Sequence, residues 1–167
     1  MTSGHPDRGV VRWRSDPFRC TLGKASPRGD TAQTMSQENV QTLRKAADAF
    51  RSRDAEALEA LMDPDEYEFR SVLGAGGKVY RGTESIQEYF ADIDDAFDDW
   101  RTEDEHYFDA GGDQAVIVYR AVGFGRESGV PIAQPVAIVW TFRNGRLLLG
   151  ETYLDPHEAF EAAGLKE

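Results

Sequence analysis

An α+β fold is what this chain predicts, and three features of its sequence predict it. Apolar residues recur at helical spacing up to about residue 100, and a run of strand-like segments separated by hairpin signals follows. The third feature is size: 167 residues hold one domain rather than two independent cores. A domain of this length buries roughly two thirds of its unfolded surface, so neither a metal nor a disulfide is needed for folding. The single cysteine, Cys20, cannot close an intramolecular bridge, which fits a reducing, cytoplasmic location.

Residues 1–34 show no period and are rich in Gly, Pro, Ser, Thr and Arg, a composition that cannot build a core. A disordered tail, a targeting peptide and a start placed too far upstream all fit it. Met35-Ser36 stands directly before the first periodic run, which favours a disordered or mis-started extension followed by a folded domain over 35–167. Ser36 is expected to cap a helix carrying Val40, Leu43, Ala47 and Phe50 on one side. Asp54 caps a second, short helix with Ala57, Leu58, Leu61 and Met62, and Asp63-Pro64-Asp65 ends it. Tyr67 to Val72 alternates as a strand, and Leu73 to Gly77 is a glycine-rich turn without the Lys-Ser/Thr pair of a phosphate loop. Gly82-Thr83 opens a third helix whose stripe is Ile86, Phe90, Ile93, Phe97 and Trp100.

Strands follow. Glu103 to Phe108 leads through Gly111-Gly112-Asp113 to Ala115–Phe124, then through Ser128-Gly129 to Val136–Phe142. Asn144-Gly145, the strongest two-residue hairpin signal in the chain, precedes a last strand over Leu147–Leu154. Pro156 can open a terminal helix. No stretch is long and apolar enough to cross a membrane as a helix.

The net charge of −11 is unevenly spread. Six basic and three acidic residues precede Met35, so the remainder carries 13 basic against 27 acidic residues, or −14. Such a body repels phosphate backbones, and nucleic-acid binding is not expected. The acidic run Asp92, Asp94, Asp95, Asp98, Asp99 reads as a solvated face and lacks the glycine and terminal Glu of a calcium loop. His5, His106 and His157 are too scattered for a zinc site, so no metal or cofactor is expected.

The order of elements resembles the SnoaL-like branch of the nuclear transport factor 2-like superfamily, which also holds the ketosteroid isomerase-like and polyketide cyclase-like proteins. The likeness is carried by Val79-Tyr80-Arg81-Gly82, by Val139–Phe142 with Asn144–Leu147 and Tyr153-Leu154-Asp155, and by the tail Glu158–Leu165. It implies a curved, mostly antiparallel sheet wrapped around three N-terminal helices, a cone enclosing an apolar pocket. It also implies a small hydrophobic ligand and a homodimer formed through the convex face of the sheet.

The chemistry of the catalytic relatives does not carry over. Where the resemblance places an isomerase's base, its tyrosine donor and its acidic donor, this chain has Ser71, Ala46 and Ile138. An epoxide hydrolase's Asp-Arg-Asp set falls on Ala115, Ile117 and Thr152. Carried along the strands, the two-residue period aims Tyr67, Phe69, Ser71, Ile117, Tyr119, Ile138, Trp140, Thr152 and Leu154 into the pocket. A single bulge would reverse any of these assignments. His106 shares the parity of Phe108 and is the candidate general acid/base, with Tyr119 and Ser71 as donors. Two readings stay open: a cyclase, isomerase or hydrolase of unassigned substrate, and a non-catalytic ligand-binding or dimeric interaction module.

Overall fold

The computed structural model of the protein describes residues 30–72 and 77–165, with side chains from Gln37 onward. In chain order its elements are α1 (Asp30–Arg51), α2 (Ala55–Leu61), β1 (Glu68–Ser71), β2 (Lys78–Arg81), α3 (Ser85–Ala96), β3 (Phe97–Asp109), β4 (Gln114–Gly125), β5 (Pro131–Arg143), β6 (Arg146–Tyr153) and α4 (Pro156–Ala162). The strands form one curved sheet in the order β2-β1-β6-β5-β4-β3, antiparallel everywhere except between β1 and β6. The α+β architecture is therefore as the sequence predicts. The glycine-rich turn at Leu73–Gly76 and the extension before Asp30 lie outside the described residues.

Several boundaries differ from the reading of the sequence, among them the start of β5 at Pro131 rather than Val136. Helix α1 starts at Asp30, so Ser36 lies inside it rather than at its cap. The segment Asp30–Met35 contains no Gly or Pro to stop a helix that continues from residue 36 backwards. At the other end of the helical layer, α3 stops at Ala96, with Phe97 already extended at φ −136° and ψ 149°. Continuing it would stack Asp94, Asp95, Asp98 and Asp99 at a C-terminus whose dipole is already negative and whose last turn holds no basic residue. Phe97 and Trp100 instead open β3, where their rings meet 4.7 Å apart against the inner core. Lys78–Arg81 forms the edge strand β2, which is too short to show alternation in the sequence. The cap at Asp54 is as predicted, its carboxylate accepting from the Ala57 N–H at 3.0 Å.

The sheet separates two cores. On its inner face Phe69, Ile117, Trp140 and Leu147 pack against Leu43 of α1, Leu58 of α2 and Ile93 of α3. On its outer face Phe108, Val116, Val118, Ala137 and Val139 are covered by Ala159 and Phe160 of α4 and by Ala163 just after it. The Phe108 and Phe160 rings meet edge-on at 5.3 Å. Residues 115–119 of β4 and 136–140 of β5 are consequently buried without interruption. The outer face that the resemblance assigns to a homodimer thus carries α4 over its centre, and ion pairs elsewhere: Arg70 with Glu68 and Glu151, Arg120 with Glu103. Four residues of the acidic run are paired in the same way, Asp92 on Lys78, Asp94 on Arg53, Asp98 on Arg126 and Asp99 on Arg101. Among the described residues no helix is long and apolar enough to cross a membrane.

One position fixes how tightly the inner core closes. Gly150 of β6 pairs with both Phe69 and Trp140, whose rings stack over it 5.5 Å apart and 10° from parallel. A Cβ there would stand 2.6 Å from Trp140 Cη2 and 2.9 Å from Phe69 Cδ1. Gly150→Ala is expected to force both rings aside and to destabilise the fold by about 1–3 kcal/mol, the usual cost of overpacking. Urea unfolding checks this, and an unchanged midpoint would show that the rings yield freely.

Candidate functional site

Between α1, α3 and the inner face of the sheet lies a cavity of about 90 Å³. Its helical side is Leu43, Ala46, Ala47 and Phe50 of α1 with Ile86 and Tyr89 of α3. Its sheet side includes Tyr67, Phe69, Ile117, Tyr119, Ile138 and Trp140, all aimed inward as the two-residue period predicts. Tyr67 and Phe69 each stack on Trp140, so three aromatic faces form one continuous wall.

The remaining predicted site residues stand elsewhere. Ser71 and Thr152 are buried on the inner face but do not line the cavity. The Thr152 hydroxyl, opposite Ile138, is buried without a hydrogen-bond partner. Leu154 follows the end of β6 and is 45% exposed, so its assignment to the pocket is corrected. His106 is corrected as well. It pairs with Val118 and shares its face with Phe108, and both belong to the outer core under α4. The half-buried imidazole is therefore on the far side of the sheet from the cavity.

The cause is a pair of bulges in β3. Its register with β4 slips between Asp98 and Arg101 and again between Glu103 and His106. Asp99 and Asp104 sit at the slips with φ of 56° each, a conformation Asp tolerates better than most residues. Gly123 accepts the first bulge, because a Cβ there would meet Asp98 O at 2.9 Å. The second bulge reverses the alternation: Thr102 faces in, and after Asp104 so do Glu105 and Tyr107, while His106 and Phe108 face out.

The bulge thereby puts a carboxylate into the cavity wall, one that the parity argument overlooked. The Glu105 side chain is only 15% exposed. Its Oε1 accepts from Arg51 Nη1 and, at 2.9 Å, from the Tyr107 hydroxyl, and its Oε2 accepts from Thr102 Oγ1 at 2.7 Å. Burial pushes the carboxyl up, but the hydrogen bonds from Arg51, Thr102 and Tyr107 outweigh it and hold Glu105 below the ordinary glutamate value. Arg44 lies over the Tyr107 ring at 4.3 Å, on the α1 surface that also carries Arg51.

Three further tyrosines complete the polar inventory. Tyr67, Tyr89 and Tyr119 line the cavity. Burial drives all three phenols well above their usual range. For Tyr119 the Glu105 carboxylate adds to the effect, and for Tyr89 the neighbouring phenols of Tyr119, Tyr67 and Tyr80 do. Among the described residues no group of His, Cys, Asp and Glu could hold a metal ion.

The profile of the SnoaL-like domain family matches residues 43–149. Comparison with curated proteins finds no match. Many solved structures share the fold. A nuclear transport factor 2-like protein from Burkholderia thailandensis is 24% identical with a TM-score of 0.63, covering 74% of this chain and 95% of its own. A Xanthomonas campestris protein with a provisional polyketide cyclase assignment is 14% identical with a TM-score of 0.61, covering 77% of this chain and 98% of its own. A ketosteroid isomerase-like protein from Catenulispora acidiphila, solved with trimethylamine, is 21% identical with a TM-score of 0.58, covering 75% and 93%. At such identities these structures establish the fold alone.

The Glu105 geometry has a consequence for acid stability. A carboxyl held below its ordinary value of 4.5 stabilises the fold above that value and loses the contribution as pH falls through its folded value. Glu105→Gln should therefore be less stable than the parent at pH 6, with the gap closing towards pH 3. Urea unfolding of both proteins across that range checks it, and a pH-independent gap would contradict the assignment.

Proposed function

We propose, from the premise that this chain belongs to the SnoaL-like domain family, that its cavity binds a small, mostly apolar carbonyl compound and moves a proton on it. The observation that supports the reading is the set of three phenols lining a mostly apolar cavity beside an ionised carboxylate. A ligand oxygen can accept hydrogen bonds from such phenols in surroundings where water competes weakly.

The chemistry follows from the protonation states. Glu105 is ionised at neutral pH and takes a proton from the carbon beside the carbonyl. The C–H electron pair forms the new C=C bond as the C=O π pair moves onto oxygen, and the phenols of Tyr67, Tyr89 and Tyr119, which stay protonated, donate to the resulting enolate. Return of the proton to another carbon isomerises the compound. Attack of the enolate carbon on a second carbonyl closes a ring. The provisional cyclase assignment of the Xanthomonas neighbour is compatible with either outcome.

Size narrows the ligand. About 90 Å³ lies below the roughly 300–1,000 Å³ of most ligand pockets, and an engineered cavity of about 150 Å³ already takes benzene. A chain of a few carbons fits the cavity as it stands and a single ring fits with a small shift of the lining, whereas a polycyclic scaffold requires Trp140 or Phe50 to move. The trimethylamine held by the Catenulispora protein is likewise a few-atom ligand. A second reading, binding without turnover, draws on the three hydrogen bonds that already occupy Glu105.

Cyclohexanone and pentane-2,4-dione in D2O serve as probes, with thermal shift reporting binding and NMR reporting exchange at the α-carbon. Exchange is expected to be accelerated, and Glu105→Gln to reduce it by about 10²–10⁴-fold. The Glu105-dependent part of the rate should be flat around neutral pH and fall below the ordinary glutamate value, because Glu105 must be ionised. A thermal shift without exchange selects the second reading, and neither effect with either probe removes the proposal.

A further inference from the structure

Arg51 is the last residue of α1 and reaches two carboxylates at once. Its Nη1 donates to Oε1 of Glu105 in the cavity wall, and its Nη2 donates to Oδ1 of Asp48 one turn back on the same helix. The two partners differ in their access to water: the side chain of Asp48 is 72% exposed, that of Glu105 15%, and that of Arg51 itself 42%. One guanidinium therefore bridges a surface acid and a cavity acid across the rim of the pocket.

That arrangement answers a difficulty in the proton-transfer reading, on which this inference rests. A carboxylate holding three donors is ionised but poorly disposed to accept a fourth proton. Of those donors Arg51 is the exposed one, and it already holds a second carboxylate. The Thr102 and Tyr107 hydroxyls belong to β3 itself, whereas Arg51 arrives from a helix end on a flexible side chain with a second acceptor in place.

We infer that Arg51 is a positioning residue shared between Asp48 and Glu105: on Glu105 it keeps the carboxylate oriented, and by leaning onto Asp48 it frees that carboxylate to take the ligand's proton. The charged and titratable groups facing Glu105 are Arg51 and Asp48 from α1, Tyr107 from β3 and Tyr119 from β4, with Arg44 above the Tyr107 ring. Among them Arg51 is the cation in direct contact with the carboxylate. Removing it leaves burial to act with less opposition and makes Glu105 a stronger base. Removing Asp48 leaves Arg51 wholly to Glu105 and makes it a weaker one.

The experiment is a carbon-detected NMR titration of the Glu105 carboxyl in the parent, Arg51→Gln, Arg51→Lys and Asp48→Asn proteins with the cavity empty. Arg51→Gln should raise the midpoint by about one pH unit, the shift expected when a neighbouring cation is lost. Arg51→Lys should restore most of it, and Asp48→Asn should lower it below the parent. A midpoint unmoved by Arg51→Gln overturns the role of Arg51, and one unmoved by Asp48→Asn overturns the sharing. Because the titration is read without ligand, failure of every ketone to bind leaves this result standing and counts against the proton-transfer reading alone.

Discussion

A strand that carries one residue more than its partner must turn its side chains over, and β3 does so at Asp104. Everything distinctive about the cavity depends on that inversion. Without it His106 would face the helices, and Glu105 would join Glu103 among the outward acids. With it, the inner face receives Thr102, Glu105 and Tyr107 in succession, three residues already linked by hydrogen bonds. The cost of a positive φ at a non-glycine residue is modest at Asp, and the contacts made by Glu105 offset it.

The rest of the cavity is set by close packing rather than by polar contacts. Gly150 lets Trp140 and Phe69 lie flat against the sheet, and Tyr67 extends their stack. Phe69 and Tyr80 also present their rings to Tyr89 at nearly right angles, 5.2 Å away in each case. Aromatic side chains bury large areas with few rotatable bonds, so this wall is stiff and its shape is well defined. Stiffness accounts for the small volume: rings that hold one another cannot retreat singly to admit a larger ligand.

Much of this was legible in the sequence. Period-2 alternation placed Ile117, Tyr119, Ile138 and Trp140 on the cavity side, because β4 and β5 pair through that region without a slip. It failed on β3 because a bulge is a property of two strands together: nothing in Thr102–Phe108 alone distinguishes a straight strand from a bulged one. The Asp residues at 99 and 104 are the only local hint. Tyr89 was missed because the three- and four-residue spacing drawn through Ile86, Phe90 and Ile93 passes it by. The uninterrupted apolar runs Ala115–Tyr119 and Val136–Trp140 did signal that both faces of these strands are covered, which the alternation argument set aside.

Coverage on both faces has a kinetic meaning for β4 and β5. Their amides sit between a helical layer and α4, so no single element can lift away and expose them to solvent exchange. Releasing α4 bares only the outer side, and loosening α1 and α3 bares only the inner. The two central strands are thereby expected to open last, while the helices that close the cavity can loosen without them.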